Sequence, residues 1–205
     1  TTSSSYYFYC KFSTGGTFQI GSGTIQNSPS GYPTPYANWY WGNREQYLIL
    51  ASELQALNVP AGPISSIAFD VVNVNACPVL QNFEISVGHT STAALQNWES
   101  GLTTVYSNPT GIQPTTGLNT HNFSTPFVWN GSDNLVIQIC SNNSSYVSSG
   151  NATVNQSATT HNSTLNYHTD ASGVCSMSTI YFGFPMMQRP NMVLDIAGVQ
   201  ALTLD

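Results

Sequence analysis

Charged residues are scarce in this sequence. They make up 6% of the chain, against about 25% in ordinary globular domains. Only Lys11, Arg44 and Arg189 are cationic, and the formal net charge is -6 at pH 7. Because a nucleic-acid-binding surface needs clustered Lys and Arg to neutralise phosphates, nucleic acid is excluded as an expected partner. Hydrophobic residues still reach 40%, which is enough for a folded core.

Long apolar runs are missing as well. No stretch approaches the roughly 18 residues of a membrane-spanning helix, so we expect no membrane insertion. The chain begins at Thr1 without Met and without a signal-peptide pattern. This beginning predicts a processed mature protein or an excised fragment.

Motifs of catalysis are also absent. The sequence has no G-x-S-x-G elbow and no phosphate-binding glycine loop with its Lys. Paired carboxylates could hydrolyse a glycosidic bond. With only three cations present, however, we favour a buried ion pair of Glu53 or Asp195 with Arg44 or Arg189. The sequence therefore predicts a protein that is not an enzyme.

No metal-binding pattern is evident. The four histidines show no helical i, i+4 spacing: His89, His121, His161 and His168. Calcium is the cation to consider, because four aspartates could supply oxygens: Asp70, Asp133, Asp170 and Asp195. No D-x-D-x-D loop groups them. We expect no cofactor, with calcium as the open alternative.

The four cysteines lie far apart in the sequence, at Cys10, Cys77, Cys140 and Cys175. None forms a C-x-x-C pair, which argues against zinc. An even number in a chain poor in charge predicts two disulfides and an oxidising, extracellular compartment. Three pairings are possible, and we favour Cys140–Cys175 with Cys10–Cys77. The rival is an unpaired Cys10 that bonds another molecule.

Period-2 alternation of apolar residues predicts an all-β protein, a jelly-roll-like antiparallel sandwich. Its predicted core residues are Phe69, Phe83, Ile85, Leu135, Ile137 and Val193. Tyr47–Leu50 is apolar on both faces, as in a central strand covered on two sides. One helical turn is expected at 52–57, capped by Ser52. The region 142–169 is expected to form exposed strands and long loops.

Four segments resemble one family, a module common in secreted proteins of gliding, type IX-secreting bacteria. They are residues 20–73 (IGSGTIQN through IAFDVVN), 80–91 (LQNFEISVGHTS), 123–143 (FSTPFVWNGSDNLVIQICSNN) and 189–196 (RPNMVLDI). The resemblance implies a β-sandwich that is displayed outside the cell and has no known catalytic residues. It divides the chain into an arm at 1–19, a module at 20–196 and a tail at 197–205.

An aromatic run raises the possibility of glycan binding. Tyr36, Trp39, Tyr40 and Trp41 could stack on sugar rings beside neutral amide donors. The favoured alternative is that these rings fasten a long loop over the edge of the sandwich.

The arm contains four consecutive aromatic residues, Tyr6, Tyr7, Phe8 and Tyr9. Exposed together, they would form an apolar patch that monomers usually avoid. They could fold back on their own domain, or add a strand to a neighbour's open sheet edge. We therefore predict an extracellular structural or adhesive module that self-assembles into a surface filament or matrix. The alternative is a carbohydrate-binding module, so the expected partner is the protein itself or a surface glycan.

Seven Asn-x-Ser/Thr sequons make the chain a candidate glycoprotein, and they cluster between residues 122 and 162. The acceptors are Asn122, Asn130, Asn142, Asn143, Asn151, Asn155 and Asn162. Their clustering predicts a polar, exposed face.

Overall fold

The computed structural model describes residues 15–177 and 184–198, and all structural statements below concern these residues. In chain order the elements are β1 (Gly16–Ile20), β2 (Ile25–Gln26), β3 (Gly42–Ile49), α1 (Ala51–Ala56), β4 (Gly62–Asn73), β5 (Phe83–Thr90), β6 (Thr103–Asn108), β7 (Gly117–Trp129), β8 (Asn134–Asn142), β9 (Thr153–Ala158), β10 (Thr164–Thr169), a 3₁₀ turn (Val174–Ser176), β11 (Phe184–Met186), β12 (Gln188–Pro190) and β13 (Met192–Ile196).

The strands form two antiparallel sheets that pack face to face. The first sheet runs β1-β13-β4-β9-β12, with β7 on the other side of β4 and β2 paired to β9. The second sheet runs β11-β10-β3-β8-β5-β6. At the sides, strands of the two sheets meet, as where the Ser124 hydroxyl donates to the Val105 carbonyl at 3.0 Å. The prediction of an all-β sandwich is confirmed.

The main core fills the space between the two sheets. Phe69, Phe83, Ile85, Leu135 and Ile137 are all at least 99% buried, as predicted. The prediction for Val193 is wrong, because that side chain points outward and is only partly buried. Its neighbours Met192, Leu194 and Ile196 face the core instead. With a side-chain period of two, an error of one residue assigns the whole strand to the wrong face.

A second apolar layer covers the outer face of the second sheet. There Leu48, Val136 and Leu165 are buried under Leu95 of the loop between β5 and β6. Tyr47, on the opposite face of β3, belongs to the main core. The prediction that β3 is covered on both faces is therefore confirmed.

Helix α1 spans Ala51–Ala56 rather than 52–57, and its N-cap lies two residues earlier than expected. Leu50, not Ser52, is its N-cap, and the Glu53 carboxylate accepts the Leu50 N–H at 2.9 Å. Ser52 is exposed. Glu53 also accepts two hydrogen bonds from the guanidinium of Arg189, at 2.5 and 3.0 Å. This is one of the ion pairs expected from the sequence, and Arg189 is nearly fully buried in it.

The expectation that 142–169 is mostly exposed is wrong for its two strands. β9 and β10 lie inside the sheets, and Thr153, Gln156, Thr164 and Asn166 are buried. These polar side chains are hydrogen-bonded in place, as when Gln156 donates to the Pro33 carbonyl at 2.6 Å. A prediction of burial from apolar residues alone misses strands whose polar side chains are buried and hydrogen-bonded inside the fold.

Candidate functional site

The free edge of β1 is the strongest candidate for an interaction site. β1 pairs with β13 over all five residues, from Gly16↔Ile196 to Ile20↔Met192, without a register shift. No described strand pairs with its other edge. Phe18 and Ile20 pack toward the core, whereas Thr17 and Gln19 are exposed. β1 therefore leaves a regular row of backbone N–H and C=O groups without a strand partner in the described fold.

The other strands at sheet edges carry features that discourage pairing with a second molecule. β7 contains Pro126 and bulges between residues 122 and 127, where its register with β4 shifts. β6 bulges at Val105, opposite the step from Ile85 to Ser86. β11 and β12 have three residues each and contain Pro185 and Pro190, and β2 has two residues. Proline, bulges and shortness are common protections of sheet edges.

β1 has none of these protections. Its sequence GTFQI contains neither proline nor a charged residue. Lysine on an edge strand also deters pairing, but Arg44 and Arg189 are both more than 90% buried. Lys11 lies outside the described residues. The part of the chain that the structure describes therefore presents no exposed cationic side chain to keep a neighbour away from β1.

The structure does not describe the aromatic residues of the predicted self-association arm. Tyr6, Tyr7, Phe8, Tyr9 and Cys10 lie outside the described residues. Residues 16–19, which the sequence assigns to the arm, belong to β1 and to the first sheet. The arm that precedes the free edge is therefore shorter than expected, and it leads directly into the edge strand.

The cysteines divide into one bridge and one buried thiol. Cys140 and Cys175 form a disulfide with a Cα–Cα distance of 5.6 Å, as predicted. Cys77 is a free, buried thiol, and burial raises its pKa to about 12. This finding gives no support to a Cys10–Cys77 bridge.

The predicted glycan-binding aromatics do not form a shared face. Tyr36 is fully buried in the main core, where its hydroxyl lies 2.8 Å from His121 Nε2, and no sugar can reach it. Trp39, Tyr40 and Trp41 are partly buried. Their loop is fastened by Asn151, whose Oδ1 accepts the backbone N–H groups of Asn38 and Trp39 at 2.9 and 2.8 Å.

His168 sits between two tyrosines of the same loop. Its ring stacks on Tyr32 with centroids 4.2 Å apart and contacts Tyr40 at 4.5 Å. Burial lowers the pKa of His168 to about 4. The arrangement matches the alternative expected from the sequence, in which aromatic rings hold the loop on the sandwich. Sequence reasoning missed the part of His168, because no spacing links this residue to the tyrosines of the loop.

Behind this stack lies a buried carboxyl group. Glu45 accepts hydrogen bonds from the Thr34 N–H at 3.1 Å, from Asn166 Nδ2 at 2.8 Å and from the Tyr47 hydroxyl. It has no ion-pair partner among the described residues. Burial raises its pKa to about 8, although these hydrogen bonds act in the opposite direction. Glu45 therefore holds a proton near neutral pH.

The candidate calcium ligands lie apart. Asp195 accepts from the Ser65 hydroxyl at 2.7 Å, Asp133 from Asn130 Nδ2 at 2.7 Å and Asp170 from the Trp41 N–H at 3.2 Å. Asp70 is exposed on β4. Within the described ranges, no three His, Cys, Asp or Glu side chains come together as a metal site.

The sequons differ in accessibility. Asn122 and Asn130 are exposed, and Asn142, Asn143, Asn155 and Asn162 are half-buried. Asn151 is fully buried, which contradicts the expectation of one exposed face. Of the seven acceptors, Asn122 on β7 and Asn130 in the following turn are the best placed to carry a glycan.

The fold places the chain in the class of all-β sandwich proteins with a disulfide. No protein-family model and no curated protein matches the sequence. Among the described residues, no helix has both the length and the apolar character needed to cross a membrane.

Proposed function

We propose that this protein is a non-enzymatic, extracellular structural or adhesive module that self-associates through the edge of β1 into a filament or matrix. The observation that carries the proposal is the unprotected edge of β1, in a sandwich whose other edge strands are bulged, short or interrupted by proline. An extended segment from a second copy can add to such an edge by main-chain hydrogen bonds.

The arm is the segment best suited to fill the edge. It joins β1 directly, and its Tyr6–Tyr9 run combines strand-forming residues with apolar rings that gain from burial. A strand donated to a neighbour leaves the donor's own β1 edge open for the next copy. A head-to-tail contact of this kind builds a filament when the rotation between successive copies does not close into a ring.

The extracellular location is supported by the Cys140–Cys175 disulfide, because such bridges persist in oxidising compartments. The scarcity of charge favours association as well. β1 has no charged residue, so a neighbour meets no like-charge repulsion along this strand.

Removing residues 1–12 tests the role of the arm. Negative-stain microscopy should show fibres for the full chain and single particles for the truncated protein, with the thermal unfolding midpoint nearly unchanged. A synthetic peptide of residues 1–12 should then bind the truncated protein. If the truncated protein unfolds while the full chain stays monomeric at high concentration, the arm is an internal strand and the proposal is wrong.

The aromatic cluster gives the alternative, a carbohydrate-binding module, little support. Tyr36 lies in the core, and the neighbouring rings hold their own loop. Affinity electrophoresis in gels that contain neutral polysaccharide tests this alternative directly. A retarded band that disappears on Tyr40→Ala would favour glycan binding by the cluster.

A further inference from the structure

The two arginines of the described chain are both buried, but only one has an anionic partner. Arg189 is paired with Glu53. Arg44 is 8% exposed and has no carboxylate within 4.0 Å among the described residues. Its Nε donates to Gln138 Oε1 at 2.9 Å, and Nη1 donates to the Met177 carbonyl. Its other nitrogen, Nη2, donates to no acceptor among the described residues.

Arg44 lies on the outer face of β3, between the two segments that cover the second sheet. Its guanidinium carbon is 4.2 Å from the centre of the Trp98 ring, in the loop between β5 and β6. The second segment contains Cys175 of the disulfide and the 3₁₀ turn. Packed between Trp98 and Gln138, the guanidinium is held in one orientation, as a recognition group requires.

This guanidinium lines a cavity of about 300 Å³. Three of the other lining residues are polar and uncharged, Asn97, Ser100 and Ser176, and three are apolar, Trp98, Cys175 and Met177. Glu99 also lines the cavity, but its carboxylate is engaged by the hydroxyls of Thr90 and Thr92, both at 2.7 Å. The cavity therefore combines one oriented cation with three neutral hydrogen-bonding side chains, and its one carboxylate is turned to the hydroxyls of Thr90 and Thr92.

We propose that the Arg44 cavity binds the carboxylate of an acidic sugar, a hexuronic acid unit of a glycan. The guanidinium would bind the carboxylate, because its planar set of N–H donors matches the two carboxylate oxygens. The Asn and Ser side chains would hydrogen-bond the sugar hydroxyls, because neutral hydroxyls are recognised by uncharged donors and acceptors. The cavity is also large enough for one pyranose ring.

A second cavity next to the first could hold the neighbouring sugar units of a glycan. A second cavity of about 510 Å³ shares Cys175 with the first and is lined by Gln81, Asn82 and Asn143. Amide side chains of this kind are suited to neutral sugar hydroxyls. The proposal does not depend on the edge of β1 or on self-association, so either can fail without the other.

The direct test is a titration with methyl glucuronide of the full chain carrying Thr17→Lys and Gln19→Lys, which keep it monomeric by placing charge on the edge of β1, followed by ¹H–¹⁵N NMR at the Trp98 indole. For a ligand of this size we expect a Kd on the order of 1 mM. Methyl glucoside and acetate should each bind at least about tenfold more weakly, because the first lacks the carboxylate and the second lacks the sugar hydroxyls. Equal binding of methyl glucoside would exclude Arg44 as the anchor, and equal binding of acetate would exclude recognition of the sugar.

Two variants of an exposed residue at the cavity provide matched controls. Ser100→Glu brings a carboxylate to the cavity from within the chain and should weaken glucuronide binding at least about tenfold, because it competes for the guanidinium. Ser100→Gln has nearly the same shape without the charge and should keep the Kd within about threefold. Neither change removes a buried group, so both proteins should fold. Equal binding by the two variants, or no shift up to about 50 mM glucuronide in the protein that keeps Ser100, would overturn the proposal.

Discussion

Asn166 Nδ2 lies 2.8 Å from Glu45 Oε1, and this amide takes the place that a cation would occupy beside a buried carboxylate. An amide stabilises the ionised form less than an Arg or Lys would. Burial therefore dominates and raises the pKa of Glu45 to about 8. The interior of the sandwich thus contains an acid that the fold keeps protonated.

Because Glu45 holds this proton only in the folded state, the free energy of unfolding should decrease as the pH rises. In the unfolded chain Glu45 ionises near its ordinary pKa of 4.5. Between pH 4.5 and 8 the folded state therefore binds more protons, and stability falls as the pH rises. We expect a loss on the order of 2–4 kcal/mol between pH 5 and pH 9 from this group.

Glu45→Gln should remove most of that slope, because an amide keeps the shape and does not titrate. Urea unfolding at several pH values measures the effect. Glu84→Gln, at a half-buried position on β5, is the matched control for replacing a carboxyl group by an amide. An equal slope in native protein and Glu45→Gln would show that another group controls the alkaline side.

His121 should contribute to the loss of stability on the acid side, together with His168, whose pKa burial also lowers to about 4. It is 96% buried, with its Nε2 2.8 Å from the Tyr36 hydroxyl, and burial lowers its pKa to about 4. The unfolded state then binds more protons below pH 6.5, so stability falls as the pH drops toward 4. His121→Gln should reduce this loss by about 1–3 kcal/mol, whereas the exposed His89→Gln should not. A steeper acid loss in His121→Gln would contradict the assignment.

Ile137 tests the central packing of the sandwich. It is 1% exposed on β8 and pairs with Tyr47 on β3 and Val87 on β5. Ile137→Ala should cost about 2–5 kcal/mol of unfolding free energy, because the cavity left behind cannot collapse fully. Val128→Ala on β7, where the side chain is 62% exposed, should cost less than about 0.5 kcal/mol. Similar costs for the two variants would contradict the packing.

Cys77 should react only when the protein unfolds. Its thiol is buried, and burial raises its pKa to about 12, which removes the reactive thiolate. Alkylation followed by peptide mass spectrometry should therefore modify Cys77 in denaturant and leave it unmodified in the native protein. The Cys140–Cys175 peptides should appear linked until a reductant is added. A linked Cys10–Cys77 peptide would contradict the assignment of a free thiol.

The sequence predicted those parts of the fold that follow from alternating apolar residues. Ile85 and Ile137 were placed in the core because their strands alternate over several residues. The same rule failed for Val193, on a short strand, and for Asn166, which is buried by hydrogen bonding rather than by apolar character. The Glu53–Arg189 pair could be expected because cations are so few.

The candidate site was harder to predict, because an edge is a property of the whole sheet. β1 alternates weakly, with Phe18 and Ile20 inward, and by itself it could belong to an arm. Its free edge becomes visible only when the pairing of β13 with β4 is known. The Arg44 cavity likewise depends on two loops that meet over β3, which no local spacing indicates.

Sedimentation velocity of the full chain over a wide concentration range tests the central claim most directly. We predict species much larger than the 22.1 kDa monomer, growing with concentration. Thr17→Lys with Gln19→Lys, two exposed positions on β1, should shift the distribution to monomer, because charges on an edge strand block pairing. The control, Ala56→Lys with Leu57→Lys at the exposed end of α1, should assemble like the native chain. A native chain that stays monomeric throughout, or that assembles equally well with lysines on β1, would contradict the account.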